Sequence, residues 1–269
     1  MTSSQVPDQE IPIRVLGGPT VLFEYGGLRF LTDPTFDQPG DHQRPGGPLL
    51  TKTAPPPAGP AEIGRIDVVL LSHDQHPDNL DESGRELLGR SPLTLTTTGA
   101  AGRLGGSAKG LAEWQPVALD RPGGGSVTVT GVPAIHGPGR PDQVEPVTGH
   151  VIGFVLSADG LPTMYVSGDN ASLDAVREIA ERCGPVGTAV LFAGAVSFPA
   201  LFDGGLIVFD SEGAAEAARI LGASRVVPAH CEGWSHYSEG REALAAAFSA
   251  AGLADRLDFG DGEALSPGA

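Results

Sequence analysis

Residues 66–81 read I-D-V-V-L-L-S-H-D-Q-H-P-D-N-L-D, and the interpretation of the whole chain starts from them. The stretch opens with a nearly continuous apolar run, which is typical of a buried strand. Four side chains able to bind a metal ion follow within six residues: His73, Asp74, His76 and Asp78. Nitrogen and oxygen ligands in this mixture suit zinc, manganese or iron. The stretch therefore predicts a metal site at the end of a strand; the alternative is a polar turn with two solvent-exposed histidines.

The overall composition is that of a folded protein with a full core. The chain has 269 residues, of which 40% are hydrophobic, and this is enough for one large domain or two small ones. No segment approaches the ~20 apolar residues of a membrane-spanning helix, and the first residues do not resemble a secretory signal. The two cysteines, Cys183 and Cys231, lie far apart and form no disulfide framework or zinc-finger spacing. We therefore expect a cytoplasmic protein with no membrane partner.

The charge of the chain is strongly acidic. It has 33 Asp and Glu residues against 17 Lys and Arg residues, which gives a net charge of −16. Such a field repels phosphate backbones, so nucleic acid is not expected as a partner. A small anionic substrate stays compatible, because a bound dication can dominate the field inside a site. We expect a small-molecule substrate, and the sequence leaves open whether the chain forms a homo-oligomer.

Strands and helices are predicted in a mixed order along the chain. Gly26-Gly27 separates two apolar runs and predicts a tight hairpin. Residues 36–60 are rich in proline, glycine and polar types and predict a long irregular stretch, which we interpret as a lid over the site. Helices are predicted at 81–90, 172–182, 213–221 and 241–251, with strands between them.

Similar polar residues recur after four of the predicted strands. The four positions are the cluster 73–78, His136, Asp169 and His230. A single histidine after a strand is more often a core or surface residue. Four such positions in order, each after an apolar run and near glycine or proline, are hard to explain by packing alone. The pattern therefore predicts that these side chains meet in one site.

With these residues the chain resembles the metallo-β-lactamase superfamily, and within it the branch similar to ascorbate-phosphate lactonases. The resemblance is carried by Gly17-Gly18, Leu31-Thr32-Asp33-Pro34, His136, Ser167-Gly168-Asp169 and His230. It implies an α/β (α+β) fold, a four-layer αββα sandwich that forms one domain over residues 1–269, with a flexible stretch at 1–10. It also implies one or two divalent metal ions, foremost zinc, with manganese or iron as alternatives.

The family's first signature, His-x-His-x-Asp-His, is matched only in part. Aligned on the Asp of the signature, His76 and Asp78 match, but Asn79 stands where the last His is expected. In that alignment Asp74 stands where the first His is expected. Aligned on the leading His instead, His73 matches and one residue is inserted before His76. Whether His73 or Asp74 is the ligand therefore stays open.

The resemblance implies two sets of metal ligands. The first set consists of His73 or Asp74 together with His76, His136 and Asp169. The second set consists of Asp78, Asp169 and His230, with Asn79 as a weak neutral ligand or none. Because Asn79 replaces an imidazole, the second site should be weaker, so one ion and two ions remain alternatives.

The activity that follows from such a site is hydrolysis of a small ester, lactone or phosphodiester by a metal-activated water. Asp78 is the candidate to orient the water or to carry a proton to the leaving group. His236 is the candidate to contact the substrate or to stabilise an oxyanion, and its alternative is an exposed loop histidine. Two other functions stay open. One is a metal-bearing redox or other non-hydrolytic enzyme, and the other is a non-catalytic scaffold with a degraded metal site.

Overall fold

The computed structural model describes residues 11–43, 47–261 and 265. The stretch 1–10, for which flexibility is predicted, lies outside the described residues. The strands are β1 (Ile13–Val15), β2 (Val21–Tyr25), β3 (Leu28–Thr32), β4 (Gly40–Gln43), β5 (Leu49–Lys52), β6 (Val68–Leu70), β7 (Thr94–Thr97), β8 (Ala108–Leu111), β9 (Pro116–Asp120), β10 (Ser126–Ala134), β11 (Val151–Ala158), β12 (Met164–Val166), β13 (Thr188–Phe192) and β14 (Arg225–Ala229). The α-helices are α1 (Glu82–Leu88), α2 (Thr98–Leu104), α3 (Pro141–Thr148), α4 (Leu173–Cys183), α5 (Ser211–Leu221) and α6 (Arg241–Ala250).

Two six-stranded sheets form the centre of the fold. The first has the order β1-β2-β3-β6-β7-β8, and the second has the order β14-β13-β12-β11-β10-β9. Strands β3, β6, β7 and β8 run parallel in the first sheet, and β12, β13 and β14 run parallel in the second. Parallel strands end at the same side of a sheet, so the residues that follow β6, β12 and β14 are brought to one region.

The packing of apolar side chains confirms the predicted four-layer αββα arrangement. One core lies between the sheets and combines Phe30 and Leu70 of the first sheet with Phe154 and Val190 of the second. A second core covers the outer face of the second sheet with side chains of α4, α5 and α6. A third core covers the outer face of the first sheet, where α1 contributes its apolar side chains. Alternation along each strand thus supplies one core on each side of a sheet.

The predicted hairpin at Gly26-Gly27 is confirmed. Its two glycines join β2 to β3 and have φ angles of 63° and 82°. Positive φ at both central positions is the geometry that fits the right-handed twist of the paired strands, and glycine adopts it without steric cost. The turn sets the register Tyr25↔Leu28 and so places β3 next to β6.

The stretch 36–60 differs from the predicted irregular loop. It contains the antiparallel pair β4 and β5, in which the Thr51 hydroxyl donates to Asp41 Oδ1 at 2.6 Å. The pairing was hidden because polar residues, glycine and proline dominate the stretch, and β4 has no buried apolar face. Pro48 and Leu50 line the cavity next to the predicted ligands, so this hairpin borders the site.

A buried ion pair joins this hairpin to α1. The Lys52 ammonium donates to the carbonyl oxygen of Thr35 at 3.0 Å and to Asp81 Oδ2 at 3.3 Å. The other carboxylate oxygen of Asp81 accepts from the backbone N–H of Gly84 at 2.8 Å and caps the helix. Lys52 and Asp81 therefore fix the start of α1, directly after the 73–79 stretch.

Replacing Lys52 with alanine is expected to lower the free energy of unfolding by about 3 kcal/mol, because it leaves the Asp81 carboxylate buried without its cation. Urea denaturation of the variant and the wild type measures the difference. Lys109→Ala is the matched control, since Lys109 is exposed on β8 and its loss should change stability by less than about 0.5 kcal/mol. Equal effects of the two substitutions would contradict the prediction.

Among the described residues, no helix combines the length and the apolar character needed to cross a bilayer.

Candidate metal centre

The residues that follow β6, β10, β12 and β14 converge between the ends of the two sheets. His73, His76 and Asp78 come after β6, and His136, Asp169 and His230 come after β10, β12 and β14. All six side chains are buried: none of these residues is more than 9% exposed. Buried ionisable groups need partners, so their mutual contacts determine what the site can do.

Four of these residues form one compact group. His73, His76, His136 and Asp169 each offer a ligand atom, and these atoms all lie within 4.8 Å of one another. His76 Nδ1 lies 2.8 Å from His73 Nε2 and 3.3 Å from His136 Nε2. Asp169 Oδ2 lies 3.5 Å from His136 Nε2. Three imidazole nitrogens and a carboxylate oxygen thus surround one point.

The outer nitrogens of two of these rings are held by hydrogen bonds. His136 donates through Nδ1 to the carbonyl oxygen of Ile207 at 2.7 Å, which leaves a lone pair on Nε2. His73 Nδ1 lies 2.9 Å from the hydroxyl of Ser72, and the Ser72 N–H donates to Asp33 Oδ1 at 2.6 Å. Such partners orient metal-binding histidines and fix their tautomer.

The protonation of this group also suits a metal ion. Burial lowers the pKa of His73 well below its ordinary value, and the neighbouring His76 and His136 rings lower it further. Burial lowers the pKa of His136 as well, although Asp169 opposes the shift. Both rings are therefore neutral near pH 7, the form in which histidine binds metals. Lone pairs directed to one buried point fit a divalent cation.

The remaining polar residues form a hydrogen-bonded network beside the first group. Asp78 Oδ2 accepts from His236 Nε2 at 2.9 Å and lies 3.2 Å from His230 Nε2. Asp169 Oδ1 accepts from the Asn79 amide at 3.1 Å and lies 3.5 Å from His230 Nε2. Asp169 therefore contacts both groups, with one carboxylate oxygen toward each.

Charge pairing dominates this second group. Burial raises the pKa of Asp78, but His236 and His230 outweigh it and hold that pKa well below its usual range. Burial lowers the pKa of His230, but Asp169 and Asp78 outweigh it and raise the pKa above its ordinary value. In the part of the chain that the structure describes, the first group alone brings three or more such ligand atoms this close together.

The backbone around His230 is tightly held. Its φ is 55°, and its N–H donates to the carbonyl oxygen of Gly18 at 2.6 Å. A Cβ on Gly194 would lie 2.1 Å from the carbonyl oxygen of His230, so only glycine fits there. The ring of His230 stacks on Phe192 with 5.5 Å between ring centroids. The Gly17-Gly18 turn and the end of β13 thus position this histidine.

Comparison with known proteins agrees with this arrangement. Residues 28–231, more than half of the chain, match the family model described as the Beta-lactamase superfamily domain. The chain belongs to this family. The predicted superfamily and fold class are therefore confirmed, whereas the finer resemblance to the lactonase branch stays a prediction.

Two curated proteins are similar in sequence to this β-lactamase superfamily member. The N-acyl-phosphatidylethanolamine-hydrolyzing phospholipase D of Saccharomyces cerevisiae is 29% identical over 60% of this chain, but the match spans only 34% of that protein. A metal-dependent hydrolase of Methanosphaerula palustris is 29% identical over 66% of this chain and 74% of its own length.

A solved structure agrees in fold. The isothiocyanate hydrolase from Delia radicum gut bacteria superposes with a TM-score of 0.75 at 20% identity, and the match covers 91% of this chain and 94% of that one. At this identity the likeness concerns the fold of the superfamily.

One predicted ligand of this superfamily member lies outside the site. The carboxylate of Asp74 pairs with the guanidinium of Arg103, with Nε 3.0 Å from Oδ2, and it is absent from the compact group. His73, the alternative, lies inside that group. The pairing with Arg103 holds the Asp74 carboxylate away from the other ligands, so His73 and not Asp74 faces the centre. The metal-ligand prediction for Asp74 is therefore corrected.

Apolar walls of the site were not predicted from the sequence. Beside the ligands, the cavity is lined by Pro48, Leu50, Thr148, Val196, Phe198, Leu201 and Ile207. Most of these residues belong to the segment 193–209 between β13 and α5. Phe198 stacks on His236 with 5.9 Å between ring centroids. Apolar side chains in a connecting segment resemble ordinary core residues in a sequence, so no pattern marked them.

Cys231 is the sequence neighbour of the candidate ligand His230, but its thiol is expected to be unreactive. Burial raises its pKa to about 12, which lowers the thiolate fraction at pH 7 about 1,000-fold relative to an ordinary thiol. We expect Cys231 to resist iodoacetamide in the folded protein and to react after unfolding in urea. Mass spectrometry of the alkylated peptides measures this, with half-buried Cys183 as the internal comparison. Alkylation of Cys231 as fast as Cys183 under native conditions would contradict the prediction.

Proposed function

We propose that this chain is a metal-dependent hydrolase that acts on a small ester, lactone or phosphodiester by means of a metal-activated water. The observation that carries the proposal is the buried group of His73, His76, His136 and Asp169, assembled from three strand ends. Family membership and relatives described as metal-dependent hydrolases support it.

Zinc is the metal we favour, because three imidazoles and one carboxylate match its ligand preferences. Manganese and iron are alternatives, since the same donors can also bind them. A bound dication would lower the pKa of a water molecule to about 7 and would polarise the carbonyl or phosphoryl bond of the substrate. A reducing compartment such as the cytoplasm suits the two unpaired cysteines.

In this proposal Asp78 orients the attacking water. Its carboxylate lies between His230 and His236, and it is 4% exposed. The low pKa of Asp78 keeps it ionised at neutral pH, so it accepts a hydrogen bond and orients the water toward the substrate. His230 and His236 hold the carboxylate in that orientation.

In this proposal His236 contacts the substrate. Its Nε2 bonds Asp78, while its Nδ1 is buried without a hydrogen-bond partner among the described residues. The ring lines the cavity and rests on Phe198. A polar substrate atom would satisfy Nδ1, which makes His236 a positioning group for the bound substrate.

The experiment removes and restores the metal. Protein treated with a chelator is dialysed and reloaded with zinc, manganese or ferrous iron, and both bound metal and hydrolysis of p-nitrophenyl acetate, γ-butyrolactone and bis(p-nitrophenyl) phosphate are measured. We expect hydrolysis of at least one substrate to be lost on chelation and to return in proportion to bound metal. Tight metal without hydrolysis, together with a visible absorption band that responds to a reductant, would favour the redox alternative. Absence of metal binding would favour a non-catalytic scaffold.

A further inference from the structure

The walls of the cavity beside the metal-binding group are mainly apolar. Its lining residues in the described part of the chain include five large apolar residues, one proline and one threonine, but no lysine or arginine. Sites that hold phosphate groups place arginine or lysine against the oxygens, because these cations form charge-assisted hydrogen bonds. The described lining residues include none, so a substrate phosphate would find no such partner among them.

The carboxylates at the base of the cavity balance the charge of a single cation. Asp78 and Asp169 contribute two negative charges, and one dication offsets both. The overall charge of the chain, −16, also repels an anionic substrate.

Two large apolar side chains are exposed close in sequence to residues that line the cavity. Leu49 and Val147 are the large apolar side chains that stand exposed in the described ranges, at 53% and 45%. Each is the direct neighbour in sequence of a residue that lines the cavity, Leu50 and Thr148 respectively. The cavity itself is narrow, with a volume of about 30 Å³. A cavity of this size admits only a small part of a substrate, and Phe198 and Leu201 form part of its wall.

We infer that the substrate is an uncharged, short-chain acyl compound, an ester or lactone, whose apolar part lies against Phe198 and Leu201, and that phosphodiesters are excluded. This inference rests on the proposed hydrolase function and selects one class among its substrates. Phe198 sets the length of the acyl group, because its ring closes the cavity beside His236.

The first test compares substrates with the same leaving group. For the metal-loaded protein we expect kcat/KM for p-nitrophenyl acetate to exceed that for bis(p-nitrophenyl) phosphate at least 100-fold. Phe198→Ala should raise the ratio of kcat/KM for the hexanoate ester over the acetate ester at least about tenfold, since even one methylene accommodated in an apolar pocket is worth about that factor or more. Leu161→Ala, which trims a half-buried apolar residue before β12 at the opposite end of the strand, should leave the ratio unchanged.

A charge-installing variant tests the exclusion directly. Leu201→Arg places a cation at a half-buried position in the wall and should raise phosphodiester hydrolysis relative to acetate at least tenfold. If the wild type already hydrolyses the phosphodiester faster than the esters, the inference is overturned while the hydrolase proposal stands. The inference is also overturned if Phe198→Ala leaves the chain-length ratio unchanged.

Binding measured without turnover separates the two proposals. The uncharged amide p-nitrobutyranilide and the anion diphenyl phosphate are titrated calorimetrically into metal-loaded and metal-free protein. We expect the amide to bind at least tenfold more tightly than the phosphate in both forms. Tighter binding of diphenyl phosphate would overturn the inference. Preferential binding of the amide, with no hydrolysis of any substrate, would support the preference for uncharged ligands but would contradict the proposed hydrolase function.

Discussion

Replacing His136 with alanine is expected to reduce metal affinity on the order of 100-fold or more and to bring hydrolysis below detection. His136 Nε2 faces both His76 and Asp169, and its Nδ1 is committed to the Ile207 carbonyl oxygen, so no neighbouring side chain can take its place. Loss of an outer partner of a metal ligand already costs about 10–100-fold, and loss of the ligand itself costs more. Metal content after dialysis against a chelating buffer measures the change.

The matched control for this prediction is His150→Ala. His150 is half-exposed at the start of β11, and its ring contacts Glu145 on α3 at 2.8 Å, outside the metal-binding group. The control should keep the metal content and the activity of the wild type. A His136→Ala protein that retained stoichiometric metal after the same dialysis would refute the assignment of His136.

Replacing Asn79 with histidine is expected to raise the metal content from one ion to two per chain. The Asn79 amide donates to Asp169 Oδ1, so it uses the carboxylate oxygen that faces His230, which in turn contacts Asp78. An imidazole there would offer a lone pair instead of a proton, beside two carboxylates and a second imidazole. Elemental analysis and anomalous scattering from crystals grown with zinc would count the ions.

Asn79→Ala controls for the loss of the amide alone. It removes the hydrogen bond to Asp169 without adding a ligand, so it should keep one ion. Because Asn79 is fully buried, the larger histidine costs about 1–3 kcal/mol of stability, and metal content should be measured on the fraction that remains folded. Two ions in the wild type, or in Asn79→Ala, would contradict the proposed effect of the amide.

The sequence was sufficient to predict which strand ends supply the site. The runs before His73, Asp169 and His230 are short and apolar, and each becomes a strand that is followed within three residues by one of these buried side chains. Such runs predict buried strands because a parallel strand in a layered sandwich is covered on both faces. Convergence then follows from topology, since parallel strands end on the same side of a sheet.

The choice between His73 and Asp74 could not be predicted in the same way. Both residues carry a group able to bind a metal, and they differ only in the side of the chain to which they point. That direction depends on where β6 ends, and strand ends are uncertain by a residue or two from sequence alone. The partner that holds Asp74 away from the site, Arg103, lies 29 residues later on α2, a helix that the sequence did not predict.

The helix α3 and the β4–β5 hairpin escaped prediction for a different reason. α3 includes two prolines, Pro141 and Pro146, and has only a few buried positions. Proline at the first position of a helix is favourable, but a proline inside it removes a hydrogen bond and weakens the sequence pattern. Tertiary contacts with the site, rather than intrinsic propensity, therefore determine these two elements.

The division of the chain between its two sheets has a consequence for fragment complementation. Every strand of the first sheet ends by Leu111, and every strand of the second begins from Pro116 onward. A cut in the connecting residues 112–115 would leave His73 and His76 on one fragment and His136 and Asp169 on the other. Neither piece would then retain a full set of donors, so tight zinc uptake would report that the two pieces had reassembled.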